Sequence, residues 1–128
     1  MRVDQLIDRD GPVCVWCGGE PWRRDLTAEH LLPRSRRGRT IPENLAVACR
    51  TCNKRRRSRS VTAYVRTLHD AAAEPRIDLL SAALGRLAES GSAVDAAYGG
   101  RQLELLGRVS TPTLRVPPAA RPRARSAA

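Results

Sequence analysis

Alternating hydrophobic and polar positions in the first half of the chain predict two short strands. The first strand carries the alternating residues Leu26, Ala28, His30 and Leu32. Residues 44–48 suit an antiparallel return strand, and residues 33–43 form the loop between the two strands. A helix opened by Cys52 and Asn53 is expected to follow the hairpin.

A helical period replaces the alternation further along the chain. Apolar residues recur at i, i+3, i+4 and i+7 at Val61, Tyr64, Val65 and Leu68. We therefore expect one long helix from near Thr51 into the low seventies. A second helix is predicted after Pro75, ending near Gly91, with an apolar side made of Ile77, Leu80, Leu84 and Leu87.

The remaining segments have weaker patterns. Residues 1–12 are polar, end in a Gly-Pro break and are predicted to be an N-terminal lead-in. Residues 74–107 form a helical extension, in which a short helix over 92–98 is followed by a Gly-Gly break and leucines without a clear period. Residues 108–128 are rich in Pro, Arg and Ala, a composition that predicts a disordered basic tail.

Basic residues are concentrated in the middle of the chain. The formal charge is +10 over 128 residues, and residues 21–60 hold twelve bases against three acids. A chain of this length forms one compact domain. Because Phe is absent and only four aromatic residues occur, something other than aromatic packing is expected to help stabilise the fold.

The four cysteines form two pairs, each with two-residue spacing. Cys14 and Cys17 make one C-x2-C, and Cys49 and Cys52 make another. The N-terminal sequence lacks the apolar run of a signal peptide and no stretch is long enough for a membrane span, so a cytoplasmic protein with no membrane contact is expected. Disulfides are disfavoured in that compartment. The pairing therefore predicts a closed, structural Zn²⁺ site of four thiolates, with four unrelated cysteines as the alternative.

Polar residues between and after the cysteine pairs stand in a recognisable order. They are Glu29-His30, Pro33, Gly38, Asn44-Leu45, Cys49-x2-Cys52-Asn53 and Arg56. This order resembles the HNH endonuclease family of the ββα-metal fold, in its zinc-bound four-cysteine form, over about residues 14–57. The resemblance implies an α+β protein: a small HNH core at 13–73 clipped by the four-cysteine zinc site, then C-terminal helices and the tail.

The resemblance also implies the chemistry of the site. His30 is the implied general base, and Glu29 and Asn53 are the implied oxygen ligands of a catalytic Mg²⁺ or Mn²⁺. Asn44 is implied to bridge the loop and hold the His30 backbone and ring. Successive strand residues point to opposite faces, so Glu29 and His30 converge only if the strand ends or twists there. The implied activity is metal-dependent hydrolysis of DNA, as a nick or a double-strand break, leaving 5′-phosphate and 3′-hydroxyl ends.

Positive charge flanks this predicted site on both sides. The residues expected to contact DNA phosphates are Arg34, Arg36, Arg37, Arg39, Lys54, Arg55, Arg56, Arg57 and Arg59. A solvated charged face is the alternative interpretation. His69 lies away from the motif and is interpreted as a surface or packing residue.

Two positions depart from the family pattern. Many relatives have Asp where this chain has Glu29, and Arg39 stands where a second glycine is common. Both departures favour the main alternative, a zinc-dependent DNA-binding module with weak or no catalysis. An RNA-binding zinc protein is disfavoured because few aromatic residues are available to stack on bases. Whether the protein partner is a second copy of the chain or a phage or restriction protein stays open.

Overall fold

The computed structural model describes residues 1–110, and residues 111–128, most of the predicted tail, lie outside this range. Its elements in chain order are α1 Val3–Asp10, β1 Leu26–His30, β2 Leu45–Cys49, α2 Arg50–Arg56, α3 Val61–Asp70, α4 Ile77–Ala88 and α5 Ala93–Ser110. The predicted α+β class is confirmed. Across these 110 residues, no helix combines the length and the apolar content needed to cross a bilayer.

The two strands form the predicted antiparallel hairpin, in which β2 is the more buried strand. Leu26 pairs with Cys49 and His30 pairs with Leu45. Alternate residues of β2 enter two different apolar clusters: Leu45 and Val47 pack on the side of α1, whereas Ala46 and Ala48 join the main core. Strand β2 is therefore buried at its first four positions instead of alternating.

Residues 3–10 form a helix, which corrects the prediction of a polar lead-in. Leu6 is fully buried. Arg9 donates hydrogen bonds to the carbonyls of Pro42, at 2.9 Å, and Leu45, at 2.7 Å. The helix was missed because only three of its eight residues are apolar, and their role appears only when the sheet is present to cover. Leu6 then packs with Leu26, Leu45 and Val47.

The long helix expected from near Thr51 is divided into α2 and α3. Arg57 has a φ of 56°, in the left-handed region, and ends the first helix. Ser60 begins the second, because its Oγ accepts a hydrogen bond from the amide of Ala63 at 3.1 Å. The break lets α2 stay against the sheet while α3 turns its apolar face into the main core.

Helix α5 is continuous, so the predicted Gly-Gly break is wrong. A Cβ at Gly99 would lie 2.6 Å from the amide nitrogen of Ala88 and 3.0 Å from the carbonyl oxygen of Leu84. The glycine therefore permits close approach of α5 to α4. The helix also includes residues 108–110, which the prediction placed in the tail.

The buried face of α5 is partly polar, which explains why its period was hidden. Tyr98, Gln102 and Leu106 recur every four residues and face the rest of the core. Gln102 accepts a hydrogen bond from the Thr62 amide at 2.9 Å. The buried face of α4 is apolar throughout, so its helical period is visible in the sequence. In α5, Tyr98 and Gln102 interrupt the corresponding apolar pattern.

Candidate active site and zinc cluster

The four cysteines come together as predicted. Their sulfur atoms lie within 4.8 Å of one another, and all four residues are free of disulfides. Tetrahedral Zn²⁺ with Zn–S bonds of about 2.3 Å needs sulfur separations of about 3.8 Å, so a small contraction would complete the site. Backbone amides donate to three of the sulfurs at 3.4 Å each, from Trp16 to Cys14, Gly19 to Cys17 and Cys52 to Cys49.

The pKa values of these thiols show how the cluster would interact with a cation. Burial raises the pKa of Cys14 to about 11. Burial and the charges of the other three cysteines raise the pKa of Cys52 further. Burial opposes ionisation of Cys49 as well, but hydrogen bonds from the Cys52 amide and the neighbouring thiols lower its pKa overall. Zn²⁺ would remove the repulsion among four thiolates, so the donor set fits this ion.

The first cysteine pair is held by a tight turn. Gly18 has a φ of 74°, a conformation that glycine adopts without steric cost. Its amide donates to the Cys14 carbonyl at 2.8 Å, and the Cys14 amide donates to the Gly19 carbonyl at 2.9 Å. The second pair lies where β2 meets α2, with Cys49 as the N-cap of the helix.

His30 ends β1 with its ring half-buried. The Nε2 atom lies 2.8 Å from Oγ1 of Thr40. Burial lowers the pKa of His30, and the positive charges of Arg34 and Arg56 lower it further. The ring is therefore neutral at pH 7 and able to accept a proton. Nothing in the sequence indicated Thr40, because the contact depends on how the connection between β1 and β2 folds back on the end of β1.

Asn44 is fully buried and bridges the loop. Its Oδ1 accepts from the Leu32 amide at 2.8 Å, and its Nδ2 donates to the carbonyls of Leu32, at 3.1 Å, and Arg39, at 2.8 Å. The loop-bridging position expected from the resemblance is therefore occupied. The side chain holds Leu32 and Arg39, however, whereas the His30 ring is held by Thr40.

Gly38 allows the same loop to close on the strand end. A Cβ at this position would overlap the backbone of Leu32 and Pro33. The Gly38 amide donates to the Pro33 carbonyl at 2.9 Å. A glycine is therefore required here by space, because the backbone segments are in direct contact.

Glu29 faces away from His30 and is enclosed. It is 5% exposed; its Oε2 accepts from Nε1 of Trp16 at 2.8 Å, and its Oε1 lies 3.6 Å from Nη1 of Arg56. Burial raises the pKa of Glu29, although Arg56 and Trp16 act in the opposite direction. The convergence of Glu29 and His30 that the resemblance required is not observed, because strand alternation persists to the end of β1.

Asn53 lies on α2, half-buried against β1. Its Nδ2 donates to Oγ1 of Thr27 at 2.9 Å and is 3.3 Å from the carbonyl of Ala28. Within residues 1–110 the cysteine cluster is the one group of three or more Cys, His, Asp or Glu side chains that could hold a metal. The Glu29 carboxylate already accepts a hydrogen bond from Trp16 and is paired with Arg56. Glu29 and Asn53 therefore do not form an open site for the expected catalytic ion.

Eight of the nine predicted phosphate-contacting residues are exposed: Arg34, Arg36, Arg37, Arg39, Lys54, Arg55, Arg57 and Arg59. The ninth prediction is wrong. Arg56 is 1% exposed and donates to backbone carbonyls, so its guanidinium is not available to a phosphate. Its position on the buried side of α2 was hidden by the run of basic residues around it.

Sequence reasoning also missed two aromatic residues of the buried network. Trp16 packs edge to face on Tyr64, with ring centroids 5.0 Å apart, and donates to Glu29. Tyr98 reaches from α5 to the Leu31 carbonyl at 3.1 Å. Trp16 could have been noticed in the sequence because it lies between Cys14 and Cys17. No neighbouring sequence feature distinguishes Tyr98.

A two-stranded antiparallel hairpin followed by a helix, with two cysteine pairs meeting beside it, defines a ββα-metal domain. Residues 14–68 match the model of a family described as HNH endonuclease, which confirms the resemblance for that segment, just under half of the chain. Residues 14–68 are therefore similar to an HNH endonuclease domain.

Two further comparisons concern curated proteins and solved structures. No curated protein matches the chain significantly. Among solved structures, the chain is similar to a crystal structure of the Type II-C Cas9 enzyme from Actinomyces naeslundii, with a TM-score of 0.46 and 16% identity. The similarity covers 88% of this chain and 11% of that one, so the chain spans a small part of the Cas9 enzyme's length.

Proposed function

We propose that this protein is an endonuclease that hydrolyses DNA phosphodiester bonds, with His30 as the general base for the attacking water. The observation that carries the proposal is the placement of the His30 ring. It lies half-buried at the end of β1, beside Thr40 and next to a loop of exposed arginines. Hydrolysis of a phosphodiester needs such a proton acceptor close to positive charge.

The contact between Nε2 of His30 and Oγ1 of Thr40 is compatible with either tautomer of the ring, and the proposal uses one of them. If Nε2 carries the proton and donates to Oγ1 of Thr40, the lone pair of the neutral ring is on Nδ1. Nδ1 of His30 would then take the proton from water as the water attacks phosphorus. Thr40 acts here by orienting the ring.

The exposed basic residues would bind the DNA backbone. They lie in the loop after β1 and on or just after α2, so they flank the hairpin that carries His30. Each phosphate that they neutralise adds about −0.9 to the slope of log affinity against log salt on duplex DNA. Such contacts position the backbone and carry no sequence code.

The proposal includes two kinds of ion. Zn²⁺ is assigned to the cysteine cluster, where it is structural because all four positions are taken by sulfur. A catalytic Mg²⁺ or Mn²⁺ is the expectation from the family resemblance. Glu29 is held by Trp16 and Arg56, so no residue is assigned to that ion here, and the residue roles derived are those of His30 and the arginines.

The enclosure of Glu29 favours a second candidate, a zinc-dependent DNA-binding module without useful catalysis. Such a module needs the cluster and the exposed arginines but no reacting group. An RNA-binding role has less support, because Trp16 and Tyr64 are buried and only Trp22 is an exposed aromatic residue in the described part of the chain.

Plasmid nicking by the zinc-loaded protein with Mg²⁺ or Mn²⁺ separates the two candidates. We expect His30→Ala to abolish cleavage while retaining DNA binding. His69→Ala, which changes an exposed histidine on α3, is the matched control and should cut like wild type. EDTA should stop cleavage, and re-added Mg²⁺ should restore it at unchanged zinc content. Wild-type protein that binds several DNA substrates and never cuts them would replace this proposal with the binding module.

A further inference from the structure

We propose that Arg56 is a positioning residue that fixes the backbone at His30, and that Tyr98 of α5 completes this contact. The inference rests on the proposed role of His30. It concerns a side chain that the sequence assigned to DNA and a helix to which the sequence assigned no role. The buried contacts of the two residues carry it.

Arg56 uses its guanidinium to join two backbone segments. Nη1 donates to the His30 carbonyl at 2.6 Å, Nη2 to the Leu31 carbonyl at 2.5 Å, and Nε to the Arg59 carbonyl at 2.7 Å. Only the planar, multi-donor fork of arginine can satisfy three such acceptors at once. The end of β1 is therefore tied to the turn between α2 and α3.

Glu29 and Trp16 hold the guanidinium from the side of the zinc cluster. The Glu29 carboxylate is the buried counter-charge of Arg56, and the Trp16 ring centroid lies 5.3 Å from its central carbon. Trp16 also donates to Glu29 and lies between the two cysteines of the first knuckle. Displacement of Arg56 would thus leave a buried carboxylate without its charge partner.

Tyr98 brings the C-terminal helices into the same network. Its hydroxyl donates to the Leu31 carbonyl at 3.1 Å, accepts from the Val61 amide at 3.0 Å and lies 3.4 Å from Nη2 of Arg56. Tyr98 and Arg56 therefore share one carbonyl acceptor. Through this contact α5 supports the strand end that carries His30.

The strand end needs such support because sheet pairing stops there. His30 opposite Leu45 is the last pair of the ladder. Beyond it, Asn44 holds the backbone of Leu31 and Leu32 from one side, and Arg56 holds the carbonyls from the other. A displacement of about 1 Å at a reacting group can reduce a rate on the order of a hundredfold.

Steady-state cleavage kinetics of Arg56→Lys and Tyr98→Phe test this proposal. Lysine keeps the charge but cannot reach three carbonyls, so we expect kcat to fall at least about tenfold with KM within about twofold. Tyr98→Phe loses one hydroxyl, and a smaller fall in kcat is expected. Arg66→Lys, an exposed arginine on α3, is the control and should behave like wild type.

Proton NMR spectra give a readout that does not depend on cleavage, because each of the two histidine rings has its own Hε1 signal. In zinc-loaded Arg56→Lys the His30 Hε1 signal should shift or broaden, whereas the His69 signal should stay in place. If a folded Arg56→Lys leaves both kcat and the His30 signal unchanged, Arg56 is not a positioning residue. Should Arg56→Lys fail to fold, Tyr98→Phe decides by the same two readouts.

Failure of the proposed function is distinguishable from failure of this inference. If wild type does not cut DNA, the endonuclease proposal fails, and the His30 signal alone then tests the role of Arg56. If wild type cuts and His30→Ala does not, but Arg56→Lys matches wild type in both readouts, the endonuclease proposal stands and the inference is overturned.

Discussion

Residues 14–56 and residues 77–110 bury different kinds of side chain. The first region surrounds a cysteine cluster and encloses Glu29, Asn44 and Arg56, each with polar partners. The second packs α4 against α5 through leucines and one close glycine contact. The candidate chemistry lies in the first region, where the cysteine cluster and a polar network hold the backbone, and the second supplies many leucines of the main core.

The two regions also differ in charge. Twelve bases against three acids lie in residues 21–60, whereas residues 61–107 hold four bases and six acids. Two non-glycine residues with positive φ lie in the basic part of the chain, Arg37 in the loop and Arg57 just after α2.

Removal of zinc should unfold the first region and should have the largest effect on stability of the changes considered. Structural zinc contributes on the order of ten kcal/mol in small modules. The main core shares Cys14 and Trp16 with Leu80 and Leu84, so we expect the loss of cooperative unfolding for the whole chain. The measurements are near-ultraviolet circular dichroism, thermal unfolding and zinc stoichiometry.

The matched variant for this experiment is Cys52→Ala. Re-added Zn²⁺ should restore stripped wild type but should leave Cys52→Ala unfolded. A Cys52→Ala protein with wild-type circular dichroism and a cooperative transition would show that the cluster does not stabilise the fold.

A cavity in the second region should lower the stability of the protein while leaving the four cysteines able to bind zinc. Leu84→Ala removes a fully buried side chain of α4 and should lower the free energy of unfolding by about 2–5 kcal/mol. Val94→Ala, at a position 59% exposed, should change it by less than about 0.5 kcal/mol. Urea unfolding of both zinc-loaded variants measures the difference. A changed zinc stoichiometry in Leu84→Ala would contradict the expectation that the cysteine cluster survives the cavity.

Charge removal should affect DNA binding only when it is made in the first region. Neutralising Arg36 and Arg55 together, one in the loop and one on α2, should make the salt slope less negative by about 1.8 if both contact phosphates. Arg66→Gln and Arg101→Gln, on exposed positions of α3 and α5, should leave it unchanged. Fluorescence anisotropy at several salt concentrations provides the slopes. Equal effects from both pairs would indicate nonspecific attraction to net charge.

The pH dependence of cleavage should give the smallest effect. The folded-state pKa of His30 is lower than its ordinary value of 6.5, because of burial and the facing charges of Arg34 and Arg56. The neutral base is therefore fully present above pH 6.5 and is lost as the pH falls through the lowered pKa. We expect the acid limb of kcat/KM to have its midpoint below pH 6.5. A midpoint above that value would assign the limb to another group.

Several parts of the fold were predictable from local pattern. The antiparallel hairpin and α4 were confirmed because their apolar residues keep a regular period. The cysteine cluster was confirmed because two identical spacings constrain the thiols strongly. In contrast, α1 and α5 were missed or interrupted, because α1 has too few apolar residues and the buried face of α5 is partly polar.

The sequence by itself determined the cysteine cluster, the hairpin, the basic surface and the resemblance that the family comparison confirmed. Each of these depends on residue type at short spacing. Tertiary structure decided that Arg56 is buried, that Glu29 faces Trp16 instead of His30, and that Thr40 and Tyr98 support the strand end. These contacts join residues 10 to 67 positions apart, and only the packed chain specifies which polar groups meet inside it.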